Sequence, residues 1–266
     1  EMPEPAHPQQ PAGEDVAFRG VSFSYTSDTG EKALEDVSFT ARQGQVTAIV
    51  GPSGSGKSTI ANLISRFWDV SSGSITIGGV DIRDMAQADL MRHVSFVFQD
   101  TFLFKQSILD NIRMGNPSAS EEQVIAAARA AQCHDFISRL PDGYHTVVGA
   151  KGVHLSGGER QRIAIARAIV KDAPIIVLDE ATAFADPENE YLIQEAFEKL
   201  MQGKTVILIA HRLSTVRSAD KIIVMEKGRL VEEGRHDQLV AAGGRYARMW
   251  SNYTQAIDWK ISGKAV

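Results

Sequence analysis

Residues 46–59 read VTAIVGPSGSGKST, an apolar pentapeptide that runs straight into a turn rich in glycine and serine. A short continuous apolar run is what a strand buried on both faces requires. The residues that follow the turn carry a helical pattern over Ser58–Phe67. Glycines at Gly51, Gly54 and Gly56 let successive backbone N–H groups point at one spot, and the helix N-terminus adds a partial positive charge there. Ser53, Ser55 and Thr59 complete a loop expected to cradle the phosphates of a nucleotide. Lys57 supplies a mobile cation for the β- and γ-phosphates, and Ser58 a hydroxyl for Mg²⁺.

A strand-loop-helix of this kind needs neighbours of the same kind. Further strands are expected at SITIGG, HVSFVFQ, PIIVLD, KTVILIA, KIIVME and GRLVEEG, with helices at 159–171, 188–201 and 235–241. That alternation implies an α/β fold whose main sheet is mostly parallel and covered on both faces. Alternating apolar residues in VAFRGVSFSY and DVSFTA predict an antiparallel edge sheet. Between Gln99 and Ser156 the texture becomes alanine-rich and helical, which predicts a helical insertion over about residues 100–158. Residues 1–15 read as a linker, because Pro3, Pro5, Pro8 and Pro11 oppose helix and ladder alike. The main domain is expected over 16–255, and a short tail over 256–266.

Composition narrows the classes. A formal net charge of −5 offers no global basic field, so nucleic acid is not an expected partner. The single cysteine, Cys133, excludes an intrachain disulfide and a Cys-rich zinc site. No apolar run approaches the roughly 18 to 20 residues that span a bilayer.

Two further segments carry chemistry. PIIVLDE (174–180) is an apolar strand ending in two carboxylates. Strands often end in acids at a turn, but behind a phosphate loop the pair reads as a Mg²⁺ site. Asp179 would approach the metal and Glu180 would polarise an attacking water as general base. Ser156, Gly157 and Gly158 open a helix that continues through Glu159 with interspersed arginines, and Ser156 can cap it. Physically this is a second anion site built of amides at a helix N-terminus.

In this order the motifs resemble those of the ABC ATPases, over about residues 16 to 250. Leu155-Ser-Gly-Gly-Glu159 resembles the family's signature motif and lies where the family places it, between the phosphate loop and the Asp–Glu strand. The resemblance implies a P-loop NTPase core with an antiparallel edge subdomain and a helical insertion. It also implies roles that pattern alone does not. Tyr25 matches the aromatic that stacks on adenine, Gln99 the glutamine linking Mg²⁺ to the membrane domain, and His211 the histidine that contacts the γ-phosphate. Such domains work in head-to-tail pairs, identical or different, with each ATP held between one partner's phosphate loop and the other's signature. Residues 156–159 would therefore serve the partner's nucleotide.

FQDTFLFKQSILDNI and AHRLSTV resemble the exporter-fold branch, in which the ATPase follows a membrane domain on the cytoplasmic side of the inner membrane. The proline-rich start fits a position just behind such a domain. AFADPENE and the aromatic stretch YARMWSNYTQAIDWKI resemble a subgroup that imports iron–siderophores, with lipid or drug export as the alternative. The chain departs from the family at Ala150, where exporters carry glutamate, and at Phe184 and Ala185 in the loop after Glu180. These departures bear on coupling to the membrane helices and between the paired pockets. A chromosome-maintenance ATPase shares the head motifs but inserts a long coiled coil before the signature, and residues 99–156 hold no heptads. A binding module without turnover would not need Glu180 and His211.

Overall fold

The computed structural model describes residues 2–26, 31–98, 100–149, 154–180 and 187–262, for residues 187–188 and 257–262 in backbone only. In chain order the strands are β1 (Val16–Phe23), β2 (Leu34–Ala41), β3 (Val46–Val50), β4 (Ser72–Ile77), β5 (Val80–Asp81), β6 (Val94–Val97), β7 (Ile175–Asp179), β8 (Thr205–Ile209), β9 (Lys221–Glu226) and β10 (Arg229–Gly234). The helices are α1 (Lys57–Ile64), α2 (Gln87–His93), α3 (Ile108–Arg113), α4 (Glu121–Ala130), α5 (His134–Ser138), α6 (Gly157–Lys171), α7 (Pro187–Met201), α8 (Leu213–Val216), α9 (His236–Ala241) and α10 (Arg245–Ser262). The chain divides into two compact units, one of Glu1–Met91 with Thr205–Val266 and one of Arg92–Lys204. The architecture is α/β, as the alternation of patterns predicts.

In the first unit β3 lies between β8 and β9, parallel to both, with Val46 opposite Val206 and Val50 opposite Val224. A strand paired on both edges and covered on both faces has no polar side to present, which explains VTAIV. β10 returns antiparallel to β9. The turn between them is Lys227-Gly228, both at positive φ (46° and 76°), the backbone a two-residue hairpin with the sheet's twist demands. The edge sheet of this unit runs in the order β2-β1-β4-β5. Phe18 and Phe39 face each other across β1 and β2 with stacked rings 4.7 Å apart. A register shift separates Phe18 from Val21 in the β1–β2 pairing, with Gly20 at φ 58° between them, and β1 then leads to Tyr25.

One helix boundary differs from the sequence expectation. Helix α1 stops at Ile64, because Arg66 turns to φ 54° and gives its buried guanidinium to Asp69 at 2.9 Å. Residues 2–15 form no regular element before Asp15, yet they are bonded to the unit. Gln10 donates its side-chain amide to Asp89 at 2.6 Å, the Gln9 N–H donates to Asp84 O at 2.8 Å, and Pro3 O accepts from Arg66 at 3.2 Å. Prolines remove donors from the ladder but leave carbonyls and neighbouring polar groups available. At the other end α10 continues to Ser262.

In the second unit β6 and β7 pair in parallel, Val94 opposite Ile175 and Val97 opposite Leu178. Helix α6 packs against α3, α4 and α7. Its buried side is Ile163, Ile165, Ala166 and Ala168, at the spacing an amphipathic helix needs. Arg167 and Lys171 are held by backbone carbonyls, at Asn111 and Val94 respectively, both 2.8 Å away. Burial lowers the pKa of each. The segment expected to be helical contains α3, α4 and α5, with a lone bridge, Ser107 to Val147, as its extended pairing among the described residues. The compact unit around it also takes in β6, β7, α6 and α7.

Candidate functional site

The phosphate loop leaves the end of β3 and enters α1 at Lys57. Gly56 is the residue before the helix and sits at φ 103°. A Cβ there would meet Leu34 Cδ2 at 2.7 Å and Ala33 O at 2.9 Å, so the position admits only glycine. The first turn of α1 has no acidic residue and no side-chain cap. Its N–H groups and dipole therefore lie at the loop with no acidic side chain in the helix's own first turn. Lys57 is 7% exposed, and its ammonium donates to Gly51 O at 2.8 Å and Pro52 O at 2.9 Å, with Ser55 Oγ at 3.5 Å. The loop is thus curled around its own cation.

A cleft of about 870 Å³ opens over this loop, within the range of small-molecule sites. Gly51, Ser53, Gly54, Gly56, Lys57, Ser58 and Thr59 line it, together with Tyr25 and His211. Ser55 is buried at 2% exposure and lies under the loop, not on its surface. Tyr25 comes from the end of β1 and is 48% exposed, its hydroxyl 3.0 Å from Thr59 Oγ1. His211 follows β8 by way of Ala210 and is exposed.

The second unit carries the remaining described candidates. Asp179 ends β7 and Glu180 follows it at 7% exposure. Helix α6 opens at Gly157 with Ser156 as its cap, as expected. Ser156 Oγ accepts from the Glu159 N–H at 3.1 Å, and the Glu159 carboxylate accepts from the Ser156 N–H at 2.8 Å. This is a reciprocal capping box, so Glu159 has a structural task at the helix start. Gly158 is crowded: a Cβ would lie 3.1 Å from the Asn189 side chain. Gln99, Ala150, Phe184 and Ala185 lie outside the described residues.

Several contributors escaped sequence reasoning. The Gly228 N–H donates to Ser55 O at 3.0 Å, so the β9–β10 turn holds the phosphate loop from behind. Leu213 and Met249 also line the cleft. A Lys-Gly pair between two strands was a legible hairpin signal, but its target, more than 170 positions earlier in the chain, was not.

Residues 34–183, over half the chain, match the profile of the ABC transporter family. The chain belongs to the ABC transporter family. It is an ATP-binding domain of that family's exporter-fold branch. The chain is 53% identical, over 92% of its length and 28% of the relative's, to the mycobactin import ATP-binding/permease protein IrtA of Mycobacterium tuberculosis. It is 51% identical to the ATP-dependent lipid A-core flippase of Syntrophus aciditrophicus, over 89% of its length and 39% of the flippase. A solved bacterial Atm1-family ABC exporter with ATP bound superposes with a TM-score of 0.87 at 44% identity, over 95% of this chain and 44% of that one. The chain therefore spans less than half the length of each of these ABC relatives.

Proposed function

We propose that this ABC domain binds ATP with Mg²⁺, hydrolyses it, and powers substrate translocation by a membrane transporter of exporter fold. The observation that carries the reading is the cleft in which an uncapped helix N-terminus, the loop-wrapped Lys57, Tyr25 and His211 converge. Tyr25 would stack on the base. Lys57 and the loop amides would neutralise the β- and γ-phosphates, and His211 would contact the γ-phosphate. The oxygen donors Ser58, Gln99 and Asp179 suit Mg²⁺, which takes its remaining ligands from phosphate and water. When bound, the ion neutralises charge on the phosphates during transfer. Glu180, at the end of an apolar strand, would accept the proton of the attacking water. Attack in line with the leaving oxygen, with charge stabilised by prearranged donors, is the chemistry these groups support.

Ser156, Gly157 and Gly158 are proposed to serve the nucleotide of a second ABC domain in a head-to-tail pair, homomeric or heteromeric. The membrane partner is a transmembrane domain preceding this one, with the ATPase on the cytoplasmic side of the inner membrane. Relatives named as ATP-binding/permease proteins support that arrangement. Release of phosphate from ATP by the purified chain tests the enzyme reading. Glu180→Gln should bind ATP and turn it over at least about a hundredfold more slowly. Undiminished turnover would overturn the role of Glu180.

For the cargo, import of an iron–siderophore is our first reading, supported by the IrtA likeness. Export of lipid or drugs by the same architecture is the second, supported by the flippase at nearly equal identity. ATP-driven accumulation of a ferric siderophore in right-side-out vesicles bearing the intact transporter decides for import, and its absence for the second reading.

A further inference from the structure

Tyr25 is tied to both ends of one helix. Its hydroxyl meets Thr59, in the first turn of α1, at 3.0 Å. Its ring meets Trp68, just past the C-terminal end of α1, edge to face at 5.2 Å and 89°. Phe23 closes a third side, also edge to face, at 4.8 Å. Trp68 is itself packed on Phe23 and Phe67, each at 6.3 Å between ring centres. Tyr25 lines the nucleotide cleft and Trp68 does not.

A tyrosine side chain has two soft dihedrals. One hydrogen bond at the tip leaves the ring free to swing about the line joining Cα to the hydroxyl. An edge contact from a large aromatic removes that freedom, and such aromatic pairs prefer the geometry seen here. A ring that is already oriented loses less entropy when a base stacks on it. The tether to Thr59 and the brace by Trp68 both belong to the run that starts at the phosphate loop, so one continuous segment, α1 and the residues just after it, serves both the base and the phosphate subsites.

We infer that Trp68 is a positioning residue for nucleotide binding, acting through Tyr25 and not by touching the ligand. The inference rests on the reading of Tyr25 as the base-stacking residue. Its effect is confined to the base, whereas damage to the phosphate loop would weaken any polyphosphate.

Calorimetric titration of the chain with ATP and, separately, with inorganic tripolyphosphate tests it. Trp68→Ala should weaken ATP about three- to tenfold, the worth of one aromatic pair, and leave tripolyphosphate unchanged. Trp68→Phe should restore most of the affinity. The double variant Tyr25→Ala/Trp68→Ala should bind ATP no more weakly than Tyr25→Ala alone. Equal losses for both ligands, or additive losses in the double variant, would overturn the inference. So would an ATP loss in Tyr25→Ala with none in Trp68→Ala. Tyr25→Ala that binds ATP like the parent brings down the stacking reading, and the inference with it. Trp68→Leu carries the same comparison if the alanine variant does not fold.

Discussion

Lys57 and Gly56 show how single residues set the phosphate loop. The lysine spends its donors on Gly51 and Pro52 carbonyls, which keeps a desolvated cation paired and keeps the loop curled. The glycine holds a left-handed turn pressed against Leu34 and Ala33. Gly56→Ala must carry both a left-handed penalty and a backbone clash, so it should lose about 2 kcal/mol or more in urea unfolding. Both residues were legible in the sequence, since the loop pattern demands them. The lysine's partners within the loop were not legible, because they are carbonyls that every residue possesses. The same holds for Trp68, which reads as one more apolar residue until the fold sets it against Tyr25.

At the scale of the element, the start of α6 is decided by Ser156 and Glu159 together. Each satisfies the other's backbone N–H, which otherwise would be among the orphan donors of a helix start. Ser156→Ala should cost about 1 kcal/mol in denaturant unfolding. Glu159→Gln keeps an oxygen acceptor at the same place and should stay within about 0.5 kcal/mol of the parent. A loss at Glu159→Gln equal to that of Ser156→Ala would show that charge, not the bond, holds the cap. The strands were legible as elements because a parallel strand buried on both faces must be largely apolar, as in β3, β7 and β8. Short helices such as α2 and α3 were not, since six or seven residues hold too little periodicity and are stabilised by what they pack on.

For the whole molecule, the first prediction follows from what burial does. Burial pushes both the Cys133 thiol and the Tyr246 hydroxyl up to about 12. In the unfolded chain they ionise near their ordinary values of 9.0 and 10.0. A folded pKa raised above the unfolded one means that the stability held by the neutral group is complete below the unfolded value and is lost as pH rises toward the folded one. Thermal stability should thus fall between about pH 9 and 12, and Cys133→Ala should flatten the lower part of that fall. A melting curve unchanged across the range would contradict it. The second prediction concerns assembly. The Glu180→Gln chain should shift from monomer to dimer in light scattering when Mg-ATP is added. Binding of ATP without a mass change would assign the pairing to a different chain or to the membrane domain.

The sequence by itself determined the α/β class, the phosphate loop, the acidic strand end and the capped helix after Leu155. These rest on local rules: backbone torsion at glycines, helix-end chemistry and the apolar demand of a buried strand. Only the tertiary structure decided that Tyr25, the loop and His211 share one cleft, that a hairpin turn at Gly228 supports the loop, and that residues 2–15 are bonded to the first unit. Those facts depend on hydrogen bonds and ring contacts between residues far apart in the chain. No local pattern records such pairings, because the partner groups are ordinary until the fold brings them within a few ångströms.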